Sequence, residues 1–542
     1  MEYNLADLFE SVVDVVPDRE ALVYIDHPGT GAERRLTYAQ LDAAANRVAH
    51  HLIDSGIRPG EHLGLHLYNG VEYLQTVLAC LKARVVPVNV NYRYVEEELA
   101  YLYHDADLAA LVFDAEFADR VAAARPRAPR LRHLVRVGAA APGSVAPDLA
   151  DLVEFAEAEA AGSPGRGFPP RSADDQFIIY TGGTTGMPKG VMWRQEDLFF
   201  AGLGGGAPTG DPVTKPEELA ERVAAGGAGI TFFPTPPLMH GTSTLTAFIA
   251  FNFGQRVALQ RKFVPEEVLR TIEREKVTSV SLVGDAMLRP LIDALNGPMK
   301  GTDCSALFSV SSSGAIMSDT VREQFQALVP NVMLLNNFGS SESGFNGTAT
   351  PDSGPERGFR IRVNSRTRVV DPVTHEPVLV GEPGRVAQRG HVPLGYYNDP
   401  KKTAETFFRI GDERWVLLGD MATVDEEGIV TVLGRGSQCI NTGGEKVYPE
   451  EVEQALKSHP DVYDALVAGV PDPKWGNHVA AVVQLREGAP RPTLDDIQTH
   501  CRAHLAGYKI PRRLVIAESI QRSPSGKADY RWARSVAATA SP

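Results

Sequence analysis

Cysteine is scarce: Cys80, Cys304, Cys439 and Cys501 are the only four in 542 residues. They are scattered, form no Cys-x-x-Cys pair and have no histidines at zinc-ligand spacing, so neither a disulfide framework nor a structural metal is expected. No apolar run approaches the roughly 18 residues of a membrane span. The start, Met1-Glu2-Tyr3-Asn4, carries acid where a signal peptide carries Lys or Arg, and a cytoplasmic protein is expected. Positive charge is also in deficit. Lys and Arg number 54 against 68 Asp and Glu, a net charge of -14, and such a surface repels nucleic-acid backbones and anionic lipid. Nucleic acid is therefore excluded as the main partner. Internal repeats at solenoid or propeller periods are absent as well.

What is present describes a soluble chain of more than one domain, 43% hydrophobic and 23% charged, with 50 glycines and 38 prolines. Leu41, Ala44, Ala45, Val48 and Leu52 share one helical face, and Gly56 ends that helix before a strand-like run over His62–Leu67. Val85–Val90 and Ala109–Phe113 are further β-rich runs. Strands alternating with helices of this length predict an α/β fold with a largely parallel sheet covered on both faces. Gly and Pro mark a connector over 161–170 and a loop or lid over 202–228. A third break, Gly434-Arg435-Gly436-Ser437, coincides with a shift in charge, because the chain past it is nearly balanced and the part before it carries the acidic excess. The main boundary is placed there, dividing residues 1–434 from 435–542. Between Arg502 and Arg534, the bases Arg502, Lys509, Arg512, Arg513, Arg522, Lys527, Arg531 and Arg534 stand against Glu518 and Asp529. That bias suits an anionic small ligand held between the two parts.

The strongest chemical signal is Tyr180-Thr181-Gly182-Gly183-Thr184-Thr185-Gly186-Met187-Pro188-Lys189-Gly190, directly after the apolar run Phe177-Ile178-Ile179. Glycines let backbone N–H groups surround an anion, the threonines add hydroxyl donors and Lys189 adds a point charge, so the segment is read as a phosphate cradle. It is not a Walker A loop, which needs Gly-Lys-Ser/Thr opening a helix; Lys189 lies between Pro188 and Gly190. Gly202-Leu203-Gly204-Gly205-Gly206-Ala207 matches a dinucleotide fingerprint in letters alone, with no strand before it and Pro208 after it, and is read as loop.

The cradle resembles the signature of the adenylate-forming superfamily of acyl-CoA synthetases, luciferase-like enzymes and peptide-synthetase adenylation domains. Other motifs follow in that family's order. Leu36-Thr37-Tyr38-Ala39-Gln40-Leu41 is similar to its early helix start, Pro236-Pro237-Leu238-Met239-His240-Gly241 to its proline-histidine motif, and Asn337-Phe338-Gly339-Ser340-Ser341-Glu342 to its aromatic-Gly-x-Thr-Glu motif. Gly419-Asp420, Gly434-Arg435, Gly443-Gly444-Glu445-Lys446 and Ser525-Gly526-Lys527 complete the set.

The resemblance implies a large N-terminal adenylate-forming domain of layered sheets and helices with a small, mobile α+β C-terminal domain. It implies ATP, Mg²⁺ and coenzyme A as cofactors and a small carboxylic acid as the other partner. Thr181, Gly182, Gly183, Thr184, Thr185 and Lys189 would then hold phosphate. Glu342 would carry Mg²⁺, with the Ser341 hydroxyl beside it. Phe338 would stack on adenine, between Asn337 and Gly339. Asp420 would accept from the ribose hydroxyls, and Arg435 would reach ribose or phosphate. Lys527 would contact the attacking carboxylate and the α-phosphate, while Gly443 and Gly444 would line a thiol tunnel. Trp193, His240, Gly241, Gly284 and the strip Ser311-Ser312-Ser313-Gly314 would line the acyl pocket, with Gly314 also beside the nucleotide and His240 either a gate or a structural histidine. Ser341 for the usual Thr keeps the hydroxyl, and Phe338 for the usual Tyr keeps the ring. Ser437 stands where many relatives carry an acidic or lysine hinge residue.

The strings around 440–453 and Asp529-Tyr530-Arg531-Trp532-Ala533 are most similar to actinobacterial FadD-type ligases of fatty acids and steroid side chains, so thioester formation with CoA ranks first. An amide synthetase is the runner-up. A non-catalytic nucleotide sensor would need neither Lys527 nor Glu342, and a luciferase-like oxygenase rests on fold alone. No Lys or Arg among the pocket residues would pair with a second carboxylate, so a monocarboxylic, largely apolar acid is expected. Oligomeric state stays open, a homodimer being common in the family.

Overall fold

Helix starts in the first sixty residues are set by their caps. Asn4 Oδ1 accepts from the Ala6 and Asp7 N–H groups at 3.0 and 3.4 Å and opens helix Leu5–Val15. Thr37 and Gln40 form a capping box on helix Tyr38–Asp54, so the periodic run at 41–52 lies inside a longer helix. The computed structural model describes residues 1–25, 33–139, 149, 152–181, 187–207, 210–227, 229–351, 353, 359–442, 445–472, 476–522 and 527–539.

Among the described residues the strands form three sheets. The eight-stranded sheet is parallel through Val86–Asn89, His62–His66, Leu108–Asp114, His133–Val137 and Leu152–Glu154, and turns antiparallel at the hairpin of Gln176–Thr181 with Lys189–Arg194. Leu108–Asp114 shows why its strands are apolar throughout: Ala110 and Val112 enter one core, Leu111 and Phe113 another. The fourteen-stranded sheet is parallel through Glu20–Ile25, Arg256–Gln260, Thr231–Pro234, Ser279–Leu282, Ser309–Ser313 and Met333–Ser340, then antiparallel from Gly344–Ala349 onward. The last strand of this sheet in chain order, Val430–Arg435, lies between Glu413–Val424 and Phe359–Val363. Beyond it the chain enters a separate five-stranded sheet built on the long hairpin of Val462–Asp472 with Gly476–Leu485, covered by helices Pro449–Lys457 and Tyr530–Thr539.

The segment 202–228 differs from the loop or lid expected there. It carries a 3₁₀ turn at Gly204–Gly206 and a helix, Glu217–Ala225, whose Leu219 and Val223 are buried against helix Leu5–Val15. Leu219 and Val223 are one helical turn apart, and the Glu218–Arg222 ion pair repeats that spacing on the outer face. The glycines on either side hide this periodicity. The connector at 161–170 is a strap laid on helix Tyr38–Asp54: Asn46 Nδ2 donates to Pro164 O at 2.8 Å, Arg47 donates to Gly162 O at 3.1 Å, and Phe168 stacks on His50.

A buried ion network ties these pieces together. Lys82, wholly inaccessible at the end of helix Val71–Lys82, donates to Glu10 Oε1 at 2.5 Å and Asp42 Oδ1 at 2.6 Å. Arg171 joins Glu10 to Asp7, and Arg166 joins Asp42 to Asp14. Burial would raise the Glu10 carboxyl, but bonds and charge from Arg171 and Lys82 outweigh it and hold the group below its ordinary value. Lys82→Met leaves two buried carboxylates short of a cation, and urea unfolding should show a loss of about 3–5 kcal/mol. Because Glu10 is held low, its stabilisation is present above the ordinary carboxyl value of about 4.3 and is lost as pH falls through the folded value. The gap between variant and parent should therefore narrow in acid; a gap that persists unchanged into acid refutes the network.

Candidate active site

A cavity of about 1390 Å³ is lined from both large sheets and from the C-terminal part, more room than the roughly 300–1,000 Å³ of a site for one small ligand. Its charge opposes that of the chain. Arg366, Arg522, Lys527, Arg531 and Arg534 line it against Glu98 and Asp529, so four of the basic residues between 502 and 534 come to one cleft.

One wall is the cradle's hairpin. Thr181 pairs with Lys189 across it, so a strand and not a helix follows the loop, and no helix dipole adds to the anion site. Thr181 lines the cavity. Lys189 is turned toward Asp399, with which it forms an ion pair. Gly182, Gly183, Thr184 and Thr185 lie outside the described residues. The strand is fixed to the loop before His240 by Asn89, whose Nδ2 donates to Tyr180 O at 2.8 Å and to Met239 O at 2.7 Å. Asn69 holds the same loop by accepting from the Leu238 N–H at 2.6 Å. His240 thus enters the cavity at the N-cap of helix Gly241–Asn252. Its Nε2 is buried with no hydrogen-bond partner among the described residues. Burial first, then the charges of Lys527 and Arg93, push its imidazole down to about 3.

The opposite wall is the turn after strand Met333–Ser340. Asn337, Phe338, Gly339 and Ser341 line the cavity, and Thr348 Oγ1 donates to Asn337 Oδ1 at 3.0 Å. Trp193, almost wholly buried, lines it too and donates from Nε1 to Ser341 O at 3.0 Å. Behind the turn lies a fully buried polar network. Ser343 Oγ donates to Asn346 Oδ1 at 2.6 Å, Asn346 Nδ2 donates to Thr367 Oγ1 at 3.1 Å and to Gln388, and Gln388 Nε2 returns to Ser343 O at 2.7 Å. Gly344, at φ +70°, lets the turn close on helix Gln195–Gly202; a Cβ there would lie 2.4 Å from Ala201 O. Glu342 is outside the cavity lining, and its Oε1 accepts from Tyr396 OH at 3.0 Å.

Two pocket assignments are corrected. Ser312 is buried behind strand Ser309–Ser313, where it accepts from the Gly284 N–H at 2.7 Å and donates to Ala315 O at 2.6 Å. Strand alternation sends Ser311 and Ser313 to the cavity instead. Gly284 makes the rear contact and is not in the lining. Gly241 and Gly314 do line it. Gly314, at φ +83°, leaves space for Lys527, whose Cε would lie 3.4 Å from a Cβ at that position. Asp420 pairs by backbone with Arg435 between two strands and is not in the cavity lining, and the Arg435 side chain lies outside what is described. Gly443 and Gly444 fall outside the described residues.

Some lining residues carried little signal in the sequence. Thr242, Leu245, Thr246 and Ile249 line the cavity at helical spacing i, i+3, i+4, i+7 directly after the proline-histidine motif, and that periodicity could have been read. Tyr396 and Arg366 reach the region only through long-range strand pairing, and nothing local marks them.

Among the described residues no three His, Cys, Asp or Glu side chains cluster to hold a metal. A lone carboxylate such as Glu342, oriented by Tyr396, fits Mg²⁺, which is commonly held by one or two carboxylates together with substrate phosphates. It does not fit a cation caged by protein alone.

Residues 9–397 match the AMP-binding enzyme family, and residues 451–527 match the AMP-binding enzyme C-terminal domain. A Mycobacterium tuberculosis protein named medium/long-chain-fatty-acid--CoA/3-oxocholest-4-en-26-oate--CoA ligase is 46% identical over 544 residues, covering 98% of this chain and 95% of that one. A Rhodococcus rhodochrous protein named 3-oxocholest-4-en-26-oate--CoA ligase is 42% identical over 553 residues, covering 98% and 96%. The solved structure of the anthranilate CoA ligase AuaEII in complex with anthranoyl-AMP superposes with a TM-score of 0.83 at 22% identity, covering 99% of this chain and 98% of that one; at that identity it speaks for the fold. No helix among the described residues is long and apolar enough to cross a membrane.

With its imidazole held near 3, His240 should stay neutral across the physiological range. A histidine-resolved NMR titration, assigned with His240→Gln, should leave its signal flat from pH 5 to pH 8. An inflection near the ordinary value of about 6.5 would refute this.

Proposed function

We propose, from the premise that this chain belongs to the family of AMP-binding enzymes, that it joins a fatty or steroid side-chain acid to coenzyme A through an acyl-adenylate. The observation that carries this reading is the placement of Lys527 in a cation-rich cavity, beside Gly314 and His240 and in the same lining as Phe338 and Ser341.

In the first step a carboxylate oxygen of the acid attacks the α-phosphorus of ATP. The acyl–O–P bond forms as the bond to the β-phosphate oxygen breaks, and the electron pair leaves with pyrophosphate. The barrier is the approach of two anions, so a mobile ammonium at that point and a cleft of positive potential lower it. His240, neutral and without a partner at Nε2 among the described residues, adds no charge and serves as a wall beside the reacting carboxylate, not as a base. Glu342 would hold Mg²⁺, which when bound neutralises phosphate charge; Tyr396 fixes the carboxylate's orientation. Thr181 and Lys189 border the phosphate loop, and Phe338 offers a ring to adenine. In the second step the CoA thiolate sulfur attacks the acyl carbonyl carbon, and AMP departs with the C–O electron pair.

We place the domain junction between residues 434 and 435, at the end of strand Val430–Arg435 and before strand Ile440–Thr442. Gly443 and Gly444 are assigned to the thiol path. The acyl chain lies along the face of Thr242, Leu245, Thr246 and Ile249, which extends about 12 Å from Gly241 at 1.5 Å per residue. The relatives' names support medium to long fatty acids and 3-oxo steroid acids as the substrate class.

Acid-dependent pyrophosphate release should require ATP and Mg²⁺ across fatty and steroid-side-chain acids, with a CoA thioester as product. Adenylate made while CoA is ignored and an amine is consumed would make the chain an amide synthetase. Lys527→Ala should slow adenylate formation by about 10²–10³-fold and spare thioester formation from supplied acyl-adenylate; equal loss of both half-reactions contradicts its role.

A further inference from the structure

Arg366 lines the cavity on the side formed by Phe345, Asn364 and Gly344. Its backbone is held firmly. Asn364 Oδ1 accepts from the Arg366 N–H and from Thr367 Oγ1, both at 3.0 Å, and Asn364 Nδ2 donates to Phe345 O at 2.9 Å. A Cβ at Gly390 would lie 3.6 Å from Arg366 Cδ. The next residue, His391, stacks on Phe200, another lining residue, so the arginine stem rises beside the aromatic end of the cavity.

The guanidinium itself has no hydrogen bond or ion pair among the described residues. Half-buried arginines around it are partnered. Arg360 pairs with Asp425, Arg389 with Glu413, Arg385 donates to Leu418 O, and Arg414 donates to Pro393 O and Leu394 O. Arg366 is half-buried, and burial draws its guanidinium below the ordinary value, with no carboxylate among the described residues to offset it. A charged fork of five donors kept in a cavity wall without an acceptor is costly unless a ligand supplies one.

We propose that Arg366 binds an acceptor oxygen on the part of the acid remote from the activated carboxylate, so that the preferred substrates carry a carbonyl or a second carboxylate there. This rests on the acid-ligase reading above, and it replaces the expectation of a purely apolar acid with no cation to meet its tail. The apolar helix face of Leu245 and Ile249 takes the hydrocarbon body, and the fork takes its far oxygen.

The test uses the full-length enzyme and three acids of equal length: hexadecanoic, 15-oxohexadecanoic and hexadecanedioic. In Arg366→Leu the kcat/KM ratio of each oxygen-bearing acid to hexadecanoic acid should fall at least about tenfold relative to the parent. Arg366→Lys should retain more of the dioic-acid ratio than the leucine variant, because the charge remains. Ratios unchanged in Arg366→Leu, or a parallel loss for all three acids, overturn the proposal. Should Arg366→Leu fail to fold, Arg366→Gln carries the same ratio test for the dioic acid. If the parent makes no thioester from any of the three, the ligase reading fails, and calorimetric binding of the same acids to parent and variant still decides the role of Arg366.

Discussion

Repulsion between two anions governs the design of the cleft. A carboxylate must approach a triphosphate, and in a half-buried site that repulsion is far stronger than in water. The chain carries a net charge of -14, yet the cavity lining is predominantly basic. Positive charge is thus concentrated where the substrates meet, while the acidic excess stays elsewhere. His240 belongs to the same logic: an imidazole driven to neutrality by burial and by neighbouring cations can sit among them without adding to their mutual repulsion.

Positioning of the walls relies on amides and carbonyls more than on ion pairs. Asn89 and Asn69 lock the loop before His240 to the adjoining strands. Trp193 and the buried ring of Ser343, Asn346, Thr367 and Gln388 lock the turn that carries Ser341 and Glu342. Neutral bonds of this kind keep their geometry when highly charged ligands enter and leave, whereas ion pairs near the site would compete for the same phosphates. The ionic network at Lys82 serves a different part of the molecule, where three helices and a strap must be joined.

Much of this was readable in advance where the signal is local. The Thr37 cap, the parallel strands near residues 62–66 and 108–114, and the lining residues Thr181, His240, Phe338 and Ser341 follow from periodicity or from contiguous motifs. The strip Ser311-Ser312-Ser313 was readable as pocket lining but not residue by residue, because three identical side chains carry no information about which of them an alternating strand turns away from the cavity. The helix at Glu217–Ala225 was obscured by flanking glycines. Tyr396 and Arg366 acquire meaning only when distant strands pair, and no neighbour in sequence announces that.

Arg522, Lys527, Arg531 and Arg534 all lie in the part of the chain that carries the separate five-stranded sheet. Were that part displaced, these cations would leave the cleft together, and Arg366 would be the one Lys or Arg that the larger part supplies to the lining among the described residues. The grip on a polyanion thus depends on that small part staying seated against the cleft. A pyrophosphate left by the first step would share those counter-charges, so whatever loosens that contact would also loosen the product.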